Sequence, residues 1–112
     1  MAGTLKLDGP AFIANAAADL LAEPASTQYF VIKHIHIVNV GAASTFSLFL
    51  GATGGSAGGT QIGGGTRAVA ANAVVDIYFP QGLKQSNTQF LSGIAADASR
   101  LTCTITYEAF VV

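Results

Sequence analysis

The chain has 112 residues, 51% of them hydrophobic and 10% charged, with a formal net charge of −1. That length gives one domain with a single modest core, residues 1–112, headed by an arm or short strand over residues 1–10. The five basic residues (Lys6, Lys33, Arg67, Lys84 and Arg100) are scattered, which excludes a nucleic-acid footprint, and no apolar run reaches the ~18 to 20 residues that span a bilayer.

Within the arm, Leu5 and Leu7 alternate with Thr4, Lys6 and Asp8. Asp8-Gly9-Pro10 reads as a turn. Residues 11–15 and 19–22 read as two short strands, with a helical turn as the alternative for this alanine-rich stretch, and residues 24–27 as a loop.

Residues 28–50 are the most apolar part of the chain, and within them residues 28–40, QYFVIKHIHIVNV, predict a long strand. Strict alternation puts Tyr29, Val31, Lys33, Ile35, Ile37 and Asn39 on one face. Phe30, Ile32, His34, His36, Val38 and Val40 take the other. Both faces are then largely apolar, so one core does not account for all of it, and one face is expected to meet another subunit. Residues 41–44 are a short link, and residues 45–50 alternate again, which together predict a hairpin.

Residues 51–65 hold eight of the 13 glycines and no charged residue, and predict a flexible loop. A weak strand over 66–71 and a turn at Ala71-Asn72-Ala73 follow. Residues 74–79 alternate, with Val75, Ile77 and Phe79 opposed to Val74, Asp76 and Tyr78. Pro80-Gln81-Gly82 is expected to end that strand, because proline cannot donate to a ladder. Residues 83–87 are short and polar, residues 88–95 a further strand, and residues 96–99 a turn. Residues 100–112 alternate most clearly, with Leu101, Cys103, Ile105, Tyr107, Ala109 and Val111 expected inward. Seven to nine short strands with Gly, Asn and Pro turns predict an all-β antiparallel sandwich, jelly-roll-like, with a Gly-rich loop.

Chemistry-bearing residues are few. His34-Ile35-His36 puts two imidazoles on one strand face, roughly 7 Å apart. Metal ligation needs three or four donors, and there is no third histidine; Asp76 or Glu108 would have to be delivered by the fold. The pair therefore reads as part of a pH-responsive subunit contact, with a cupin-like metal site as the alternative. Gly63-Gly64-Gly65-Thr66-Arg67 lacks the Gly-Lys-Ser/Thr end of a phosphate loop. Cys103, the sole cysteine, reads as a small buried hydrophobe, and no carboxylate pair reads as a general acid and base. No catalytic residue and no cofactor is expected, and the expected interface residues are Tyr29, His34, His36, Phe49 and Tyr78. With no cysteine framework and no continuous apolar N-terminal region, the chain is expected to be made in a reducing compartment. Its small charged share, against the usual quarter or so, predicts a surface covered in part by partners or by copies of itself.

The stretches YFVIKHIHIVNVGAASTFSLFLG and AANAVVDIYFPQGLKQSNTQFLSGIAADASRLTCTITYEAF resemble a small β-sandwich of tailed-bacteriophage virions. The resemblance rests on Ile35, Ile37 and Asn39 closing a long strand, then residues 46–50, 74–79 and 101–108. It implies a virion structural protein of the capsid decoration (cement) type: a homotrimer on the capsid surface, made in the host cytoplasm and contacting the major capsid protein. A tail or fibre-base component, or a receptor- or glycan-binding module, is the alternative. Neither nucleic acid nor membrane is an expected partner.

Overall fold

A computed structural model describes residues 3–51 and 59–111. These residues form eight strands: β1 (Thr4–Phe12), β2 (Ala18–Leu21), β3 (Gln28–Asn39), β4 (Ser44–Gly51), β5 (Thr60–Val69), β6 (Val74–Gln85), β7 (Phe90–Ala95) and β8 (Leu101–Val111). Two four-stranded antiparallel sheets result. Sheet A has the order β1-β8-β3-β6, and sheet B the order β2-β7-β4-β5. The pairs β1·β8, β2·β7, β3·β6 and β4·β5 all form. The chain is thus one long hairpin, folded back at β4–β5 and rolled up into the expected jelly roll.

Between the sheets lie Ile13, Ile32, Ile35, Ile37, Phe46, Leu48, Leu91, Leu101, Cys103 and Ile105. Two buried amides tie the layers together. Asn39, at the end of β3, places its Nδ2 within 2.8 to 3.2 Å of the Ala42, Val69 and Ala70 carbonyls, and its Oδ1 accepts from Gly41 N. Gln85, at the end of β6, donates from Nε2 to Leu21 O, Ala22 O and Gln89 O. Both clamps join sheet A to segments of sheet B, which fixes the sandwich at two points where the chain changes layer.

Several expectations are corrected. β3 and β4 do not form a hairpin: they lie in different sheets, because the 41–44 link carries the chain across the sandwich instead of back along one layer. The two-sided apolar pattern of β3 has a local cause. Register slips between Ile32 and His34 against both neighbours, so Lys33 is an extra, bulged residue. Phe30 and Ile32 before the bulge, and Ile35, Ile37 and Asn39 after it, then face the same core. Tyr29, Val31, His34, His36 and Val38 face outward.

Pro80 does not end β6. Opposite Lys33, β6 advances from Tyr78 to Leu83 while β3 advances from His34 to Ile32. Residues 79–82 bow out of the ladder, where the missing proline N–H loses nothing. Gly82 (φ 77°) closes the bow, and a Cβ there would overlap Val31 Cγ1. The Gly-rich stretch is treated likewise. β5 begins at Thr60, and its Gly63, Gly64 and Gly65 take positive φ in a bulge opposite Ser47. Arg67 Nη1 donates to Gly63 O across it. This corrects the expected loop at Gly51, which ends β4, and over residues 60–65, which belong to β5, while residues 52–58 lie outside the described residues. The weak strand over 66–71 is the end of β5.

The turn at Asp8-Gly9-Pro10 is instead a bulge inside a continuous β1, where one extra residue enters between Asp8 and Ala11. The first short strand expected at 11–15 is the end of β1, and Val111 is exposed rather than inward. The turn at Ala71-Asn72-Ala73 is as expected: Ala73 N donates to Ala70 O at 3.0 Å. Asn72 there takes φ 60°, a conformation asparagine tolerates.

Candidate functional site on the outer face of sheet A

In an antiparallel pair, directly opposite residues share a face. Leu5 stands opposite Glu108, Leu7 opposite Thr106 and Phe12 opposite Thr102. These β8 residues alternate with Leu101, Cys103 and Ile105, which are buried. Leu5, Leu7 and Phe12 therefore point outward, and they are 69%, 67% and 51% exposed. Thr4, Lys6 and Asp8 take the side that looks toward sheet B. The alternation of β1 is inverted relative to an ordinary edge strand, which turns apolar residues in and charges out. Val74 and Tyr78, also largely exposed, lie on the same outer face, on β6 at the far side of the sheet.

Between these margins lies a polar cluster. His34 and His36 are two residues apart on β3, so both rings rise from one face. Asp76 is in register with His36 across the β3–β6 pair, and Tyr78 with His34. Asp76 Oδ1 is 2.7 Å from His34 Nε2 and 2.6 Å from His36 Nδ1. A carboxylate can only accept, so each imidazole donates its facing N–H. The hydrogen bond from His36, then that from His34, holds the Asp76 carboxyl below its ordinary range. Tyr78 stacks on the His34 ring, with centroids 4.3 Å apart and planes 8° from parallel. The three side chains stay partly open to solvent, at 23%, 39% and 34% for His34, His36 and Asp76.

The fold thus delivers Asp76 to the histidine pair, the donor that sequence alone could not place. Alternation put Asp76 and Tyr78 on one face of their strand. What it lacked was the β3–β6 register. Glu108 goes elsewhere, 3.5 Å from Lys33 Nζ. Because both rings point away from the core, a cupin-like site in the sandwich interior does not form from His34 and His36.

The other expected interface residues divide. Tyr29 shares the outer face of sheet A, stacked on Phe110 with centroids 5.2 Å apart and with Lys84 Nζ 4.8 Å above its ring. It lies five residues from His34 on β3, so roughly 15 Å separate it from the Tyr78 position along the strand. Phe49 is on β4 in sheet B, half-buried, and joins none of these.

Cys103 is buried and faces a small cavity of about 70 Å³ between the sheets, shared with Asp8, Asp19 and Leu20. Burial, with a smaller contribution from the Asp8 charge, pushes its thiol up to about 12. A thiol held so high supplies almost no thiolate near neutrality.

No family model matches the chain, and no curated protein sequence matches it. Among solved structures, the sandwich is similar to a chain from the Bacillus endospore appendages, described as a novel family of disulfide-linked pili. The likeness covers 98% of this chain and 90% of that one, with a TM-score of 0.52 and 14% identity. At that identity it is a likeness of fold.

Proposed function

We propose that the chain is a non-enzymatic structural subunit that docks through the outer face of sheet A. The assembly we infer is a tailed-phage capsid, on which the chain acts as a decoration protein: a homotrimer seated on the major capsid protein. One observation carries the docking reading, the inverted alternation of β1. Leu5, Leu7 and Phe12 gain nothing from the core of their own sandwich, and their burial against a partner would remove apolar surface from water. Among the described residues no strand pairs with the outer edge of β1, where sheet A ends, and such an edge can accept a partner strand. The phage setting rests on the sequence resemblance. A subunit that binds only the assembled shell stabilises that shell by mass action. Stripping the protein from particles and adding it back tests this reading: restored heat resistance supports it, and unchanged particles that do not take up the chain count against it.

A polymerising fibre subunit is the second reading, and the likeness to a pilus chain favours it. Those pili are disulfide-linked, whereas this sequence has one cysteine, Cys103, buried in its own core. Cys103, being buried, is not placed to link copies of this chain in that way. Electron microscopy of the concentrated protein discriminates, because filaments appear only under the fibre reading.

A further inference from the structure

We propose that His34, His36 and Asp76 bind one divalent first-row transition-metal ion, with Zn²⁺ the best fit, on the outer face of sheet A. This goes beyond the docking reading and does not rest on it. Two imidazole nitrogens and one carboxylate oxygen already converge, the three donor atoms all lying within 4.8 Å of one another. Two nitrogen donors and a single carboxylate disfavour Ca²⁺ and Mg²⁺, which take mostly oxygen, and favour the metals that imidazole suits.

Backbone pairing holds the three donors close together. Both histidines rise from one strand, Asp76 is held by ladder pairing to the neighbouring strand, and Tyr78 fixes the plane of the His34 ring. Zinc–nitrogen and zinc–oxygen bonds of about 2.0 to 2.2 Å put tetrahedral donors roughly 3.3 Å apart. The present 2.6 and 2.7 Å contacts are hydrogen bonds to one oxygen, so the Asp76 carboxylate must draw back by about half an ångström, and the two imidazole nitrogens, up to 4.8 Å apart, must close toward the roughly 3.3 Å of a tetrahedral pair, both by side-chain rotation. On binding, the metal takes the place of the two protons that His34 Nε2 and His36 Nδ1 direct at Asp76. Each ring then presents a lone pair, its proton moving to its other nitrogen or to solvent. Three protein ligands leave a fourth position, open on the solvent side, for water or another donor.

The test is titration of tag-free protein with ZnCl₂ by calorimetry, alongside Asp76→Asn, His34→Gln and His36→Gln, each shown folded by circular dichroism. Co²⁺ serves as the spectroscopic probe. The expected result is one saturable site per chain, weakened at least tenfold by each substitution, and a visible cobalt d–d band that D76N loses. Absence of saturable binding by the folded wild-type chain overturns the proposal. So does a site that the three substitutions leave unchanged, which would place the metal elsewhere.

Discussion

Leu7 stands opposite Thr106 in the β1–β8 ladder, and that pairing turns Leu7 away from the core and out to solvent. The same register holds for Leu5 against Glu108. The leucines of this edge strand face out while Lys6 and Asp8 take the side toward sheet B, and the proposed docking face rests on that arrangement. Shifting β1 by one residue would reverse every side chain, so the inversion is a property of this register.

The pair Leu5→Glu and Leu7→Glu should separate docking from folding. Both positions are exposed, so the change in unfolding free energy should stay within about 0.5 kcal/mol each. Uptake onto particles should fall at least tenfold. Urea denaturation and a co-sedimentation assay read the two effects on the same protein, and normal uptake by the double variant would remove β1 from the interface.

Asn39→Ala should destabilise the chain by about 1 to 3 kcal/mol, because it removes the side-chain bonds to the Val69 and Ala70 carbonyls and from the Gly41 N–H at the layer crossing. Chemical denaturation measures it. Asn39→Asp should not rescue, since a carboxylate cannot donate to those carbonyls.

Gly82→Ala should cost more than an ordinary strand substitution. Its φ of 77° disfavours any side chain by about 1 kcal/mol or more, and the added methyl overlaps Val31 Cγ1. Val31→Ala in the same chain should recover part of the loss. A shift in thermal midpoint with no recovery in the double variant would show that the backbone conformation alone is responsible.

Cys103 sets an alkaline limit. Its thiol sits near 9.0 in the unfolded chain and is pushed up to about 12 in the fold. Between those values the unfolded chain has lost the proton and the folded chain keeps it. Stability from this group is therefore full below pH 9 and falls as pH rises, by up to about 1.4 kcal/mol per unit. Urea unfolding at pH 8 and pH 10 should show a steeper loss for wild type than for Cys103→Ala, even though the variant starts lower because of its cavity.

The sandwich was legible in the sequence because period-two alternation survives in β4 and β8, whose inward residues Phe46, Leu48, Leu101, Cys103 and Ile105 are buried as read. It failed where strands bulge. The extra residue at Lys33 flips the phase of β3, and a strict period of two cannot show a flip. Pro80 and the run Gly63-Gly64-Gly65 read as breaks because a proline or a glycine run ends most strands, yet edge strands absorb both by bowing outward. The histidine pair was visible. Asp76 was not attached to it, because its partnership depends on pairing between strands some 40 residues apart, which local pattern does not encode.

Electron cryomicroscopy of the parent particle tests the docking assignment most directly. The expected map has copies of the chain on the shell surface with Leu5, Leu7 and Tyr78 covered by the subunit beneath or beside them. A shell that carries no copy of the chain, or copies whose outer face of sheet A looks into solvent, contradicts it.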